Sequence, residues 1–189
     1  MPYNPNIHHR RSIRLKDYDY SQAGLYFITI CCQDKICRFG KIENGEMILN
    51  DWGEIARQCW LAIPQHFPNT ILHEYVVMPN HVHGIIELVG AKFFSPLSPS
   101  ISPSETISPK SCNNDNSRAK NFSPLPGTSR TIGSIIRGFK IGITKQLGFS
   151  IWQRNYYEHI IRNEQSYQNI AGYIIHNPEK WRDDRFYLE

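Results

Sequence analysis

The sequence has no long hydrophobic run and little cysteine, and each shortage excludes a class of protein. The longest apolar run, Leu25 to Cys32, is too short to cross a bilayer, and the polar, basic start of the chain lacks the hydrophobic segment of a signal peptide. The five cysteines include no C-x-x-C pair. This pattern indicates reduced thiols in or near a core, not a disulfide framework or a structural zinc site. We therefore expect a cytoplasmic protein.

Acidic residues are absent from the first sixteen positions, although the net charge of the chain is only +4. The basic residues there are Arg10, Arg11, Arg14 and Lys16. Such an arm can bind phosphate, or it can be merely solvated. The chain has 189 residues, of which 40% are hydrophobic, and this is enough for one domain with a sizeable core. We predict a basic arm over residues 1–23 and a single domain over 24–189.

Residues 91–128 differ in composition from the rest of the domain. They are rich in Ser, Pro and Asn and contain hardly an apolar pair. Such a segment cannot bury enough surface to offset the entropy lost on ordering the chain. We predict a disordered insertion that is dispensable for chemistry, not a boundary between domains.

The remaining sequence alternates between strand and helix patterns. β-Branched and aromatic runs predict strands, apolar residues at a spacing of 3.6 predict helices, and Asn44-Gly45 predicts an accessory hairpin. The predicted strands are Leu25 to Cys32, Thr70 to Met78 and His81 to Val89, and Ile151 to Arg162 is predicted as a fourth strand or an extended segment. The predicted helices start at Asp51, Ser129 and Asn163. This order predicts an α+β, ferredoxin-like fold (split βαβ, RRM-like), with an antiparallel sheet, helices on one face and an appended C-terminal helix.

Two histidines lie on one side of a predicted strand. Because strand side chains alternate between faces, His81 and His83 point the same way, about 6.6 Å apart along the strand. Val82 and Ile85 can enter a core. Two imidazoles so placed can share one metal ion, and the alternative is a solvated pair on an edge strand. The Pro-Asn turn before them favours a rigid backbone, and hence the metal site.

The last predicted helix, Asn163 to Asn177, offers a second half for this site. Tyr173 and Asn177 are four residues apart and share one face of its final turn. Asn177 can supply a metal ligand through its amide oxygen, and Tyr173 can act as a nucleophile on a phosphate. Equally, Tyr173 can be an ordinary amphipathic tyrosine and Asn177 a residue that ends the helix before Pro178.

Six motifs occur in order along nearly the whole chain outside the insertion. They are Arg11-Ser12-Ile13-Arg14-Leu15, Tyr18-Asp19-Tyr20-Ser21, Gly24-Leu25-Tyr26-Phe27-Ile28-Thr29, Val77-Met78-Pro79-Asn80-His81-Val82-His83-Gly84-Ile85, Trp152-Gln153-Arg154 with His159-Ile160-Ile161-Arg162, and Tyr173-Ile174-Ile175-His176-Asn177-Pro178. Together they resemble the REP-associated tyrosine transposases of the single-tyrosine HUH superfamily. Each motif alone is unspecific, but the ordered set is highly specific. The long insertion and Lys180-Trp181 depart from the usual family pattern.

The resemblance implies a metal-dependent enzyme that nicks and transfers single-stranded DNA at the foot of palindromic hairpins through a covalent 5′-phosphotyrosine. The family's His-hydrophobic-His motif maps onto His81, Val82 and His83, its catalytic tyrosine onto Tyr173, and its polar residue one turn later onto Asn177. The expected metal is Mg²⁺ or Mn²⁺. The expected partner is single-stranded or hairpin DNA, with no membrane and no obligate protein partner, and the protein is expected to be a monomer or homodimer.

Positive charge should assist this chemistry, because an unperturbed tyrosine ionises only near pH 10. The predicted DNA-binding residues are Arg10, Arg11, Arg14, Arg137, Lys140 and Arg154. Among them, Lys140 and Arg154 are candidates for a field that favours tyrosinate. His159 is a further candidate, and it can equally be structural.

A second class of function stays open at this point, namely a non-catalytic module that binds single-stranded nucleic acid. RNA-recognition folds present stacking aromatics on a ferredoxin-like sheet, and Tyr26, Phe27 and Tyr75 are candidates for such a platform. This alternative leaves the histidine pair unexplained. A metal-dependent hydrolase of small substrates is disfavoured because no cluster of acids accompanies the histidines.

Overall fold

The computed structural model describes residues 18–90 and 131–187 and follows the predicted order of strands and helices. Its elements are β1 Gly24–Cys31, β2 Gly40–Glu43, β3 Glu46–Leu49, α1 Asp51–Leu61, α2 Ile63–His66, β4 Thr70–Met78, β5 His81–Leu88, α3 Ile132–Leu147, β6 Tyr157–Ile161 and α4 Glu164–Ile175, with 3₁₀ turns at Gln33–Lys35 and Trp181–Asp183. Arg10, Arg11, Arg14 and the predicted insertion at 91–128 lie outside the described residues.

Four strands form one antiparallel sheet in the order β4-β5-β1-β6. This is the strand order of the ferredoxin-like fold, so the predicted fold class is confirmed. β5 pairs with β1 on one side and with β4 on the other. The histidine strand is therefore an interior strand of the sheet and not an edge.

The accessory hairpin is also confirmed, as a separate two-stranded sheet of β2 and β3. Asn44 and Gly45 have φ angles of 53° and 81°, which are left-handed values that Asn and Gly tolerate. A turn with φ > 0 at both central residues matches the twist of the two strands that it joins.

Helix α1 begins at Asp51, as predicted, but the capping box that the spacing of Asp51 and Glu54 also predicts is not formed. Asn50, not Asp51, is the N-cap, and its Oδ1 accepts hydrogen bonds from the backbone N–H groups of Trp52 and Gly53, each at 3.0 Å. Glu54 pairs with Arg57, with 2.6 Å between Oε1 and Nη2, and does not close a capping box. An asparagine oxygen at the preceding position satisfies the same free N–H groups.

The two faces of the sheet have different coverings. Tyr26 and Val82 join the large core formed with α1 and α3, whereas Phe27 and Ile85 join a smaller cluster with α4. Val82 and Ile85 are both buried, as predicted, but on opposite faces. The appended helix α4 thus lies on the face that α1 and α3 leave open, which is the face that the histidines occupy.

The described cysteines, Cys31, Cys32, Cys37 and Cys59, are all free thiols. Burial raises the pKa of Cys32 to about 12 and that of Cys59 to about 11, which keeps these thiols protonated and unreactive at neutral pH. Within the two described ranges, no helix combines the length and the apolar character needed to span a membrane.

Candidate active site

His81 and His83 are both buried, with 0% and 1% of their surface exposed. Their ring centroids lie 4.3 Å apart. The predicted common orientation of the pair is therefore confirmed, and the alternative of two solvated histidines on an edge strand is wrong. Burial of two imidazoles side by side requires polar partners for their ring nitrogens.

A hydrogen bond at Nδ1 orients each imidazole ring. Nδ1 of His81 lies 2.8 Å from Oδ1 of Asn80, and Nδ1 of His83 lies 2.9 Å from Oγ1 of Thr29. The amide of Asn80 has one orientation, because its Nδ2 donates to the backbone oxygens of Lys35 and Phe186 at 2.8 Å each. Since Oδ1 can only accept, His81 carries its proton on Nδ1 and presents a lone pair at Nε2.

The turn before the histidines and the glycine after them hold the strand in place. The Pro79 carbonyl accepts from the backbone N–H groups of Arg38 and Phe39. On the opposite face, a Cβ at Gly84 would lie 2.3 Å from a ring carbon of Trp60. Glycine is therefore the residue that lets this tryptophan reach the strand that carries the histidines.

Helix α4 brings the tyrosine to the histidines. Its N-cap is Asn163, as predicted, and its last helical residue is Ile175, two residues before the predicted end. Oη of Tyr173 lies 3.2 Å from Nε2 of His83, and Asn177 follows in the turn after the helix, 2% exposed. The structure therefore places Tyr173 and Asn177 at the histidine site.

Asp184 is a member of the site that sequence reasoning missed. Its Oδ2 accepts a hydrogen bond from Tyr173 Oη at 3.2 Å and another from Asn177 Nδ2 at 3.0 Å. His81, His83 and Asp184 each offer one atom that could ligate a metal, and these three atoms all lie within 4.8 Å of one another. The only signal in the sequence is the acidic pair that follows the last predicted helix, and nothing local indicates that this segment folds back.

The segment after α4 packs directly on the histidines. The Phe186 ring lies 4.6 Å from the His81 ring, between centroids, and the Lys35 ammonium lies 5.8 Å from the Phe186 ring centroid. Lys35 also donates to the backbone oxygen of Arg185. These contacts, with the Asn80 amide, hold Asp184 beside the histidines.

Two buried polar atoms in this cluster have no hydrogen-bond partner among the described residues, namely Nε2 of His81 and Oδ1 of Asn177. Buried polar atoms without partners are costly and rare, so they call for an explanation. Both atoms carry lone pairs, and with His83 and Asp184 they form a set of imidazole nitrogens and oxygens that suits a divalent cation. The residues present therefore fit a metal ion.

The electrostatics keep the imidazoles neutral and the tyrosine protonated. Burial lowers the pKa of His81 to about 4 and that of His83 well below 6.5. Burial and the Asp184 carboxylate raise the pKa of Tyr173 to about 12, against the opposing effect of Arg185. Neutral imidazoles are ready to bind a cation, whereas the tyrosine needs added positive charge before it can lose its proton.

The predicted supporting bases occupy different places. Lys140 donates to the backbone oxygens of Gln153 and Asn155, at 2.7 and 2.9 Å, so it holds the loop before β6. Burial lowers its pKa to about 8. Arg154 is exposed in that loop, and Arg137 is exposed on α3, across the sheet from Tyr173. The charged side chains that act on Tyr173 are instead Asp184 and Arg185.

His159 lies on β6 opposite Phe27, and therefore on the same sheet face as the site. It lines an open groove between β6 and α4. The structure thus places His159 beside the site, and a role in support of Tyr173 stays a prediction.

The proposed stacking platform of the alternative function is covered. Tyr26 is fully buried beneath α1 and α3, and Phe27 is 9% exposed. The Tyr75 ring stacks on Trp60 at 6.1 Å between centroids. Tyr26 and Phe27 are therefore core residues, Tyr75 is half-buried against the core, and the three rings do not form one open surface for bases.

Fold and site together define a ferredoxin-like α+β protein that gathers two histidines, an aspartate and a tyrosine on one sheet face. No protein-family model matches the chain. An uncharacterized protein of Haemophilus influenzae is 48% identical to it over 99% of this chain and 98% of that protein. The chain belongs to the same family as that protein.

A second protein of Haemophilus influenzae extends the relationship. It is named "Putative REP-associated tyrosine transposase" and is 25% identical over 86% of this chain and 74% of its own length. The chain is therefore a distant homologue of a REP-associated tyrosine transposase, and the predicted resemblance is confirmed at that level.

A solved structure supports the fold independently. The structure of a REP-associated tyrosine transposase bound to a REP hairpin matches 90% of this chain and 74% of its own chain, with a TM-score of 0.55. The sequence identity is 21%, so this likeness bears on the fold.

Proposed function

We propose that the protein is a metal-dependent single-stranded DNA endonuclease and strand transferase that nicks DNA beside hairpin-forming repeats. The observation that carries this proposal is the position of Tyr173, whose Oη lies 3.2 Å from both His83 and Asp184. The side chain is 43% exposed, so a DNA strand can reach it. The homology to a transposase and the fold match to a hairpin-bound relative support the same conclusion.

The reaction follows from the position of the phenol. Oη of Tyr173 attacks the phosphorus of a backbone phosphate, an O–P bond forms, and the bond from phosphorus to the 3′ oxygen breaks. Asp184 accepts the phenol hydrogen bond and so orients Oη for attack, the phenol proton passes to solvent water, and the departing 3′ oxygen takes up a proton from water and ends as a hydroxyl. The products are a 5′-phosphotyrosine and a free 3′-OH.

The reverse step gives strand transfer. A 3′-OH from another strand attacks the phosphotyrosine, the bond to Oη breaks, and the phenol regains a proton. One phosphoester replaces another in each direction, so no external energy source is needed. Solvent water returns this proton, and Asp184 again accepts the hydrogen bond from Oη.

His81, His83, Asp184 and Asn177 are the residues that would hold the cation, with Asn177 contributing Oδ1. Mg²⁺ or Mn²⁺ bound there would supply positive charge that stabilises the scissile phosphate and favours loss of the Tyr173 proton. The protein's own part is to keep both imidazoles neutral by burial and to aim His81 Nε2 through its bond to Asn80.

The central prediction is that the protein becomes covalently attached to DNA through Tyr173. The probe is a library of labelled DNA hairpins with randomised single-stranded flanks, incubated with Mn²⁺ and resolved on a denaturing gel. Tyr173→Phe removes the nucleophilic oxygen, so we expect no adduct and unchanged hairpin binding. Tyr157→Phe is the matched control, because Tyr157 is 44% exposed and lies on the same face.

Normal cleavage by the Tyr173→Phe variant would show that another group is the nucleophile. Loss of the adduct in Tyr157→Phe alone would identify that group. Absence of any adduct with the parent protein, across the whole library and with either metal, would contradict the enzymatic proposal.

A second prediction concerns the metal ligands. We expect Asn177→Ala and Asp184→Asn each to raise the Mn²⁺ concentration for half-maximal cleavage by at least about tenfold. Calorimetric titration of the protein with Mn²⁺ should show the same loss without DNA. Asp183→Asn is the control, since this neighbouring carboxylate is exposed and lies outside the cluster. A titration in which Asn177→Ala overlays the parent would remove Asn177 from the ligand set.

A further inference from the structure

An open groove lies on the site face of the sheet, between β6 and the first turns of α4. Its volume is about 480 Å³, and its lining includes Phe27, Tyr157, Asn163 and Asn169. Ligand sites in proteins usually measure roughly 300–1,000 Å³, so the groove is large enough for one organic group. The reaction described above does not use it.

The groove adjoins the nucleophile. The Phe27 ring lies 6.2 Å from the Tyr157 ring in the groove and 6.3 Å from the Tyr173 ring, between centroids. Asn169 lines both this groove and a second cavity of about 390 Å³ that contains Tyr173 and Asp184. A strand whose phosphate lies at Tyr173 would therefore pass Asn169 into the groove.

The chemistry of the lining suits an unpaired base. Tyr157 offers a ring that is 44% exposed, and the Arg185 guanidinium carbon lies 5.9 Å from its centroid. No residue that lines the groove is acidic, so a phosphate-bearing ligand meets no repulsion from it. Aromatic rings bind bases of any sequence through stacking.

Amide side chains add a means of reading a base edge. Asn163 uses Oδ1 to cap α4 by accepting from the Ser166 N–H, and Gln165 donates to Oδ1 of Asn169. Both of these hydrogen bonds use the side-chain oxygen of the asparagine. Within residues 18–90 and 131–187 they leave the Nδ2 donors of Asn163 and Asn169 unused. Such amide donors can contact the acceptor atoms of a base that is not paired.

We propose that this groove binds one unpaired nucleotide next to the phosphate that Tyr173 attacks, with its base stacked on Tyr157. The proposal rests on the proposed function for the position of the phosphate. It assigns substrate recognition to β6 and the first half of α4, separately from the groups that cleave.

Binding measurements without metal test the groove apart from the chemistry. The probe is a fluorescein-labelled DNA hairpin with a single-stranded thymidine flank, and binding to the full-length protein is followed by anisotropy. Tyr157→Ala is expected to weaken binding at least about fivefold, the loss typical of a removed base stack. Tyr157→Phe keeps the ring and should bind within about twofold of the parent. Phe149→Ala is a control, because this 47% exposed ring contacts Trp52 at the far end of α3.

Each outcome bears on one proposal. Parent-like binding by Tyr157→Ala, or equal weakening by Tyr157→Phe, would overturn the stacking site, even if Tyr173 forms its adduct. If Tyr157→Ala alone weakens binding but the parent protein forms no adduct, the stacking site in the groove is supported and the nuclease proposal is contradicted. Unchanged thermal unfolding of Tyr157→Ala shows that lost binding is not lost folding.

Discussion

The two faces of the sheet are built from alternate residues of the same strands, yet one buries hydrophobic side chains and the other also buries polar ones. Within the part of the chain that the structure describes, the core between one face and helices α1 and α3 contains twenty buried hydrophobic residues, of which Trp60 is among the largest. The face beneath α4 carries five, and beside them it buries the polar side chains of His81, His83 and Asn177. One face is therefore a continuous core, and the other combines a small core with a site.

This difference shows how the fold accommodates an unfavourable site. Burying polar groups with unpaired atoms lowers stability, because the lost contacts with water are not replaced. Strand alternation lets Val82 and Gly84 pack on the core while His81 and His83 face α4. The large core can offset the cost of the site without sharing any side chain with it.

The largest effect that we expect from this comparison concerns a pair of glycines. A Cβ at Gly84 would lie 2.3 Å from Trp60, so Gly84→Ala should lower the free energy of unfolding by about 1–3 kcal/mol. A Cβ at Gly172, in α4, would meet nothing within 4 Å, and Gly172→Ala should raise stability by roughly 0.5–1 kcal/mol. Urea unfolding measures both. If Gly84→Ala and the parent unfold at the same urea concentration, the core face is not packed as tightly at Gly84 as the structure indicates.

A smaller effect on stability is expected on the site face. There the hydrogen bonds that orient the two histidines should matter more to metal binding than to folding. Asn80→Ala removes the acceptor for His81 Nδ1 and the two bonds to Lys35 and Phe186. Mn²⁺ affinity should fall by about 10–100-fold, the usual result of losing such an outer contact. Thr29→Val, which removes the hydroxyl beside His83 and keeps a similar shape, repeats the test for the other histidine. Mn²⁺ binding equal to the parent's would show that burial alone orients the rings.

The smallest effects should separate the two faces as DNA surfaces. Arg137 and Arg154 are both predicted DNA contacts, but only Arg154 lies in the loop that leads to β6. Arg154→Ala should lower the slope of log affinity against log salt by about 0.7, and Arg137→Ala should leave it unchanged if DNA stays on the site face. The triple replacement of Arg10, Arg11 and Arg14 by Ala tests the arm on the same scale. A lower slope for Arg137→Ala would show that DNA also wraps the α3 side.

Much of the fold could be predicted because its signals are local. Alternation over a few residues places His81 and His83 on one face, and the Asn44-Gly45 turn sets the accessory hairpin. The spacing of Tyr173 and Asn177 is likewise a property of one helix and the turn after it. Each of these patterns depends only on backbone geometry within about ten residues.

The missing parts of the site depend on contacts between distant segments. Asp184 reaches the histidines because the chain after α4 is held by the Asn80 amide, whose bond to Phe186 spans 106 residues. No periodicity encodes such a bond. For Lys140, distant contacts remove a predicted role. Its position on α3 predicts a free surface base, but its ammonium donates hydrogen bonds to the loop carbonyls of Gln153 and Asn155.

The long sequence separation within the site also determines when it is assembled. His81 and His83 belong to a hairpin of adjacent strands, and hairpins of this kind close within about 1–10 μs. Tyr173 comes 90 residues after His83, so at a synthesis rate of about 5–20 residues per second it leaves the ribosome roughly 5–20 s later. During translation the two histidines therefore emerge well before Tyr173, Asn177 and Asp184, which complete the site. The set of residues proposed for cleavage is complete only once α4 and the segment after it have docked on the sheet.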